Sequence, residues 1–342
     1  MNLQARINAL VRLGEKLQEK NDYLEAVMHR TKYNNPWFTI ENQQRAIKGI
    51  ATGFLNKEKL ENWINNYELV NTEKIKNIGL IMAGNIPLAN FHDFLCVFVS
   101  GHKSLIKLSE QDKYLLPYLL KLLIEIDSRS ENYFEIINIL KNYDAVVATG
   151  NTKSVRYLET YFGKVPNIIR KNKNAVAVLS GGESADNLFA LGKDIFRYYG
   201  LGSRNVSKLY LPENYDFQLL LEKLHEYKEI VLNHKYKNNF DYNMALLMMN
   251  KTPFWNNGCI ILSENKSIAS RIAHVHFEYY TNKLQLTGRL IEDREKIECV
   301  VSNLNIDHFK RIAFGKTQEP GLSDFADGVD TLKFLSSSIS ES

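Results

Sequence analysis

Residues 76–108 read KNIGLIMAGNIPLANFHDFLCVFVSGHKSLIKL. The stretch opens on an apolar run through Ala83 that has the length of a short buried strand. Gly84-Asn85-Ile86-Pro87 supplies turn residues, and 88–100 reads as an apolar helix that Gly101 stops. Ser104 to Leu108 returns as a second strand. A strand, a helix and a second strand in this order imply parallel pairing through a crossover. The alternation continues downstream: helix 111–126, strand 144–150, helix 152–162 closed by Gly163, and a fourth strand from Ala175 to Leu179. The reading predicts an α/β chain with an open parallel sheet and ligands outside the carboxyl ends of its strands.

Outward from this core, residues 3–30 read as helix, with Leu3, Ile7, Leu10, Val11 and Leu17 on one face. Asn34-Asn35-Pro36 breaks the pattern, and helices follow near 39–54 and 56–67. Beyond residue 180 come Gly181-Gly182, helix 184–199, a tight turn from Gly200 to Asn205, and strand 206–211. Helix 216–225, a helical stretch near 239–249, strand 258–263 and helix 266–282 complete the pattern. The predicted organisation is a helical region 1–70, a dinucleotide-binding domain 71–180, a catalytic domain 181–320, and a tail 321–342 rich in Asp, Gly and Ser.

Composition bounds the function classes. At about 150 residues per domain, a 342-residue chain predicts roughly two domains. Hydrophobic residues make up 44% and charged residues 24%, which is globular composition. A net charge of +4 spread along the chain predicts no nucleic-acid surface. Cys96, Cys259 and Cys299 are far apart, without a CxxC pair, which excludes a local zinc knuckle and argues against a secreted disulfide scaffold. The N-terminus is amphipathic and lacks a signal core. No apolar run approaches ~20 residues, so the sequence predicts no membrane span and a cytoplasmic protein.

Two junctions suit an anionic ligand. Thr149-Gly150-Asn151 closes a strand and opens a helix, where backbone N–H groups and the positive helix end face outward. On its own the triplet reads first as a tight strand-to-helix connection. Asn85 follows a buried strand, where its amide could donate to an oxyanion, cap the next helix, or occupy a left-handed turn. Lys107 could reach a ribose or phosphate, or snorkel from an edge strand. GxGxxG, GxxxxGK[ST] and GxSxG are all lacking. The histidines show no metal spacing; His274 and His276, two apart on the predicted helix, would not share a face. Asp324, Asp327 and Asp330 read as a solvated, capping-rich turn and not as a metal loop.

The order of the pieces is more specific than any one of them. Gly84-Asn85-Ile86-Pro87-Leu88, a helix, and then Val99 to Glu110 resemble the cofactor half of the aldehyde dehydrogenase superfamily. In that superfamily an Asn-x-Pro turn precedes a strand ending Lys-x-Ser/Ala-Glu. Thr149-Gly150-Asn151, Gly181-Gly182 and the Gly200–Asn205 turn match its next landmarks in order over residues 76–211. Within the superfamily, Ile168 to Asn172, Asp194 to Gly202 and Phe325 to Thr331 resemble the long-chain acyl-CoA reductases related to the fatty-acid reductase of bacterial bioluminescence.

That resemblance implies an aldehyde dehydrogenase-like fold with a cofactor domain and an α/β catalytic domain. It implies NADPH-dependent reduction of fatty acyl-CoA, or of an acyl-protein thioester, to a fatty aldehyde through a covalent acyl-enzyme. Asn85 and the backbone N–H at Ser203 would hold the oxyanion. Lys107, Ser109, Glu110, Thr149, Gly150, Asn151, Gly181 and Gly182 would hold the dinucleotide. Glu110, if it faces the adenosine ribose, would repel a 2′-phosphate and weighs toward NADH. A homo-oligomer and an acyl-protein synthetase partner are also implied. Hydrolytic superfamily members carry a glutamate before the Gly-Gly pair; Val178-Leu179-Ser180 has no carboxylate there, which favours reduction over hydrolysis.

One position departs from the family. Cysteine stands in its Gly-Leu-Gly-x-Arg-Asn motif, and this chain has Ser203. A thiol with pKa ≈ 8.5 yields thiolate near neutrality, whereas a hydroxyl needs a general base. The adjacent ionisable residue, Arg204, cannot accept a proton. The sequence therefore predicts a chain impaired in acyl transfer, through an engineered or a natural serine, with a non-catalytic acyl- or cofactor-binding scaffold subunit as the alternative.

Overall fold

The computed structural model describes residues 1–69, 74–150 and 152–338. The chain forms two compact units, Met1–Lys171 with Pro320–Ser342, and Asn172–Glu319.

The first unit begins with helices α1 (Leu3–Lys16), α2 (Asp22–Asn34), α3 (Ile40–Gly49) and α4 (Lys57–Ile64). The single helix read over 3–30 is in fact two. Asn21 accepts the Leu24 N–H at 2.9 Å and starts a new helix there, a cap that the continuing apolar face concealed. A parallel sheet follows: β1 (Asn77–Ile81), β2 (Lys103–Lys107), β3 (Phe134–Ile136), β4 (Ala145–Thr149) and β5 (Asn167–Arg170), in spatial order β3-β2-β1-β4-β5. Helices α5 (Phe91–Ser100), α6 (Leu115–Ile126) and α7 (Thr152–Phe162) lie between these strands in the chain. Helix α5 is apolar on nearly every side, and every residue in it except His92 is buried. Gly101 ends it in the left-handed conformation, φ 87°.

Residues 1–70 and the C-terminal segment, which the sequence reading sets apart, share one core with this sheet. Leu10, Leu13, Leu60 and Trp63 pack in the same cluster as Phe94, Leu95 and Leu119, and Leu332 and Leu335 join them. At ~25 cal/mol per Å² of apolar surface, burying each such side chain contributes roughly 1.5–3 kcal/mol.

The second unit carries β6 (Asn174–Val178), α8 (Ala185–Phe196), β7 (Val206–Pro212), α9 (Gln218–His225), α10 (His234–Met249), β8 (Trp255–Asn256), β9 (Ile261–Glu264), β10 (His274–Tyr280), α11 (Lys283–Glu292), β11 (Ile297–Val301) and β12 (Arg311–Ile312). Its sheet runs β12-β11-β6-β7-β10-β9-β8, parallel except for the β8 edge. Lys208 in β7 is fully buried, and its Nζ lies 2.7 Å from both Glu278 Oε2 and the Lys266 carbonyl, so its charge is matched.

Two sequence expectations are corrected here. The run from Ala175, read as the fourth strand of the cofactor sheet, belongs to the second sheet. The strands that complete the first sheet are the short β3 and β5, whose three and four residues gave little periodicity. The helix expected over 266–282 is replaced by strand β10. His274-Val-His-Phe-Glu-Tyr-Tyr280 is β-branched and aromatic, and strand preference wins. On a strand, His274 and His276 do share a face, and their rings meet edge to face at 4.9 Å.

Candidate functional site

In the first unit, Ile81 pairs with both Lys107 and Ala148, so β1, β2 and β4 end level. Strand order reverses at this point: β2 and β3 lie to one side of β1, β4 and β5 to the other. In such sheets a crevice opens outside the carboxyl ends at the reversal, which is where ligands bind. Two loops border it, one following Ile81 and one at Thr149-Gly150, and both are sequence candidates.

The first loop is shaped by sterics. A Cβ on Gly84 would run into Ser109 Oγ and come within 2.8 Å of Ser109 Cβ and Gln111 Cβ, so glycine lets the β1 and β2 loops touch. Ser109 Oγ itself accepts the Gln111 N–H at 3.2 Å. Further along, Leu88 takes a left-handed conformation, φ 56°, and donates its N–H to Asp112 Oδ2 at 2.7 Å. Burial pushes the Asp112 carboxyl up to about 6, against the pull of that hydrogen bond. Neither structural role open to Asn85 is its own: the left-handed residue is Leu88, and the residue before α5 is Asn90. Asn85 itself is exposed in the turn.

Asn90 ties the two loops together. Its Oδ1 accepts the Ala83 N–H at 2.7 Å, and its Nδ2 donates to Thr149 Oγ1 and Asp93 Oδ2, each at 2.9 Å. Asp93 Oδ1 in turn receives Arg170 Nη2 at 2.6 Å, in an ion pair whose side chains are only 5% and 6% exposed. Burial opposes ionisation of Asp93, but the Arg170 charge, its hydrogen bond and that from Asn90 outweigh it and hold the carboxyl below the ordinary range. Asn90, Asp93 and Arg170 were not singled out in the sequence. Asn before an apolar helix and Arg closing an apolar strand were the available signals.

The other sequence candidates in this unit are placed as follows. Lys107 is exposed at the end of β2, with its carbonyl accepting the Met82 N–H at 3.0 Å. Glu110 is exposed and paired with Lys113 at 3.1 Å. Gly150 spends its N–H on the Arg170 carbonyl at 3.2 Å, and a Cβ there would meet Ser154 Oγ at 2.6 Å and Leu158 Cδ1 at 2.7 Å. Asn151 lies outside the described residues.

Gly181 and Gly182 lie in the second unit, after β6, and not on the sheet that carries Thr149 and Gly150. No carboxylate precedes the pair at Val178-Leu179-Ser180, but one that follows it closes the turn. Glu183 folds back, and Oε1 accepts the Ser180 N–H at 2.6 Å and the Ser180 hydroxyl at 2.7 Å, while Oε2 accepts the Gly181 N–H at 3.1 Å.

Ser203 sits in the turn between α8 and β7. This turn is built by Asn205, which is 1% exposed. Asn205 Oδ1 accepts the Gly202 N–H at 2.8 Å, and Nδ2 faces the carbonyls of Asp194, Ile195 and Arg197 at 3.0, 3.2 and 2.9 Å. Tyr198, Tyr199 and Gly200 are successively left-handed, φ 52°, 58° and 75°. Two consecutive non-glycine residues in that region store strain, of order 1–3 kcal/mol each, that the surrounding bonds must offset. Asp194, fully buried, accepts the Gly315 N–H at 2.6 Å and the Thr317 N–H at 3.0 Å and fixes the facing loop. Arg204 is paired with Glu298 at 3.3 Å. The Ser203 turn precedes β7 while Gly181-Gly182 follows the neighbouring parallel strand β6, so these two motifs lie at opposite ends of the strands of the second sheet. A small pocket of about 30 Å³ near the start of β7 is lined by Asn174, Tyr199, Gly200, Tyr236, Arg271 and His274, among others, and Ser203 does not line it.

Two of the three cysteines are placed where a thiol is inert. Cys96 is fully buried in α5, and burial pushes its thiol well above the ordinary value. Cys259 is also fully buried, and burial pushes it up to about 12.

No protein-family model and no curated protein matches this sequence. Solved structures do match its fold. Aldehyde dehydrogenase 21 from Physcomitrella patens, in complex with the reaction product succinate, aligns with a TM-score of 0.69 at 10% identity over 98% of this chain and 84% of that one. An oxidoreductase from Marinobacter aquaeolei gives 0.69 at 11% identity over 94% and 79%. The P. syringae indole-3-acetaldehyde dehydrogenase AldA, in complex with NAD+ and IAA, gives 0.64 at 12% identity over 88% and 72%. The fold of this chain is therefore aldehyde dehydrogenase-like. Among the described residues, no helix is long and apolar enough to cross a membrane.

Proposed function

We propose that this chain is built as an NADPH-dependent reductase of fatty acyl thioesters, with Ser203 in the nucleophile position and acyl transfer impaired as a result. The observation that carries the reading is the strand reversal at β1, where the Gly84–Leu88 and Thr149-Gly150 loops border one crevice in an aldehyde dehydrogenase-like fold. The crevice suits a dinucleotide: the Thr149 hydroxyl lies at its rim, and Lys107 is exposed at the end of β2. Thr149, Gly150, Ser109 and Lys107 would bind the dinucleotide, Lys107 as the cation for a phosphate. Glu110 opposes a 2′-phosphate, but its ion pair with Lys113 offsets that charge, so NADPH is the donor proposed and NADH its competitor. Bound there, a reduced nicotinamide supplies hydride.

Asn85 is proposed as an oxyanion donor, and the Ser203 backbone N–H as another. Gly181 and Gly182 are dropped from the cofactor set, because Glu183 already takes the Ser180 and Gly181 N–H groups. A hydroxyl at 203 has no acidic proton to lose near neutrality. The second reading, a non-catalytic acyl- or cofactor-binding scaffold subunit with a synthetase partner, rests on Ser203 itself, a hydroxyl where acyl transfer needs a thiolate. The Ser203→Cys variant separates the two. The reductase reading expects acyl-CoA-dependent oxidation of NADPH in that variant and little in the parent. Nucleotide binding without turnover in Ser203→Cys would leave the scaffold reading.

A further inference from the structure

Asn90 occupies the position before α5 that asparagine normally uses to cap the helix, yet its side chain makes no cap bond. It reaches outward instead, to Ala83, Asp93 and Thr149. We propose that Asn90 is a positioning residue that fixes the two loops of the dinucleotide crevice against each other, and that the joint is braced through Asp93 and Arg170 by the segment returning at Pro320. This rests on the reading of that crevice as a dinucleotide site.

The partners determine which way the amide points. Ala83 offers an N–H, so Oδ1 faces it; ionised Asp93 offers only acceptors, so Nδ2 faces that. Both Nδ2 hydrogens are then used, one on Asp93 and one on Thr149 Oγ1. Thr149 Oγ1 is the acceptor in its bond, so its own proton is left to donate. At the rim of the crevice the acceptor for that proton is a phosphate or ribose oxygen of the dinucleotide. Asn90 thus orients a ligand-binding hydroxyl while it holds the chain leading into Gly84-Asn85. Behind it, Asp93 receives the Thr331 hydroxyl at 3.1 Å, and Arg170 bonds the Ala326 carbonyl at 2.6 Å and Thr331 Oγ1 at 2.8 Å. The C-terminal segment thereby joins the same network, although it is more than 150 residues from Arg170 in sequence.

The test is NADPH titration of the full chain, followed by nucleotide fluorescence, in wild type, Asn90→Ala, Thr149→Val, Thr149→Ser and the Asn90→Ala/Thr149→Val double variant. Asn90→Ala and Thr149→Val are each expected to raise Kd roughly tenfold, the worth of one positioned hydrogen bond. The double variant is expected to lose clearly less than the product of the two, because both remove one device. Thr149→Ser keeps the hydroxyl and should retain wild-type affinity, a rescue that a purely structural role would not single out. Wild type that binds neither NADPH nor NADH overturns the dinucleotide reading and this inference with it. Wild type that binds while Asn90→Ala and Thr149→Val bind equally well overturns the inference alone, as does full additivity. If Asn90→Ala does not fold, the Thr149→Val and Thr149→Ser pair decides: a loss confined to valine supports the inference, and unchanged affinity in both refutes it.

Discussion

Removing Asp93 should unfold the first unit far more readily than its single hydrogen bonds suggest. Asp93→Ala deletes the partner of a guanidinium that is only 5% exposed, together with the acceptor for Asn90 and Thr331. Breaking a buried pair from one side leaves an uncompensated charge and costs about 3–5 kcal/mol. Against a typical domain stability of about 5–15 kcal/mol, this is a large fraction. Urea unfolding reads it most cleanly on a Trp255→Phe background, since Trp37 and Trp63 then report the first unit alone. The midpoint should fall with little change in slope. The pH dependence has a definite sign. Asp93 is depressed in the folded state, so its stabilisation is present above the unfolded carboxyl value of ~3.9 and is lost as pH falls through the lower folded value. The gap between parent and Asp93→Ala should therefore narrow in acid. A cost below about 1 kcal/mol at pH 7, or a gap constant down to strong acid, would refute the reasoning.

Asp112 has the opposite sign. Its carboxyl is raised to about 6, so between the unfolded value of ~3.9 and that point the folded chain binds more protons, and stability falls as pH rises, by up to about 3 kcal/mol. Asp112→Asn should then be stabilised relative to parent at pH 8 and not at pH 4, as followed by thermal melts; equal gains at both pH values would contradict this. Asn205→Ala strands the Gly202 N–H and loosens three carbonyls, and should cost about 2–4 kcal/mol in denaturant unfolding. Gly84→Ala forces a methyl against Ser109 and should destabilise by about 1–3 kcal/mol in the same measurement. Native thiol labelling should spare Cys96 and Cys259, both buried, until the chain is unfolded; rapid labelling of either would show the burial to be wrong.

The first sheet was legible where strands were long and apolar. Leu80-Ile81, Leu105-Ile106 and Ala145 to Thr149 announced themselves by hydrophobic runs between glycine turns. The strands at Phe134–Ile136 and Asn167–Arg170 did not, because three or four residues carry too little pattern. Omission of the latter let the run at Ala175 stand in its place and carried Gly181-Gly182 to the wrong sheet. His274 to Tyr280 was misread because periodicity over so short a run does not separate strand from helix, and composition should have decided. The Ser203 turn was legible as a glycine-flanked bend, but what holds it was not: Asn205 reaches carbonyls 8 to 11 residues back, and Asp194 reaches a loop 121 residues away. Asn90 was hidden for a different reason. It looks like an ordinary cap, and only the structure shows its amide spent elsewhere.

The central claim is that position 203 is where an acyl group would be carried. The most direct measurement is intact-protein and peptide mass analysis of Ser203→Cys after brief exposure to a long-chain acyl-CoA without reduced nucleotide. One acyl adduct, released by neutral hydroxylamine and located at residue 203, with none on the parent serine chain, is the predicted result. An adduct at Cys299 or elsewhere, or none at all on folded Ser203→Cys, would contradict it.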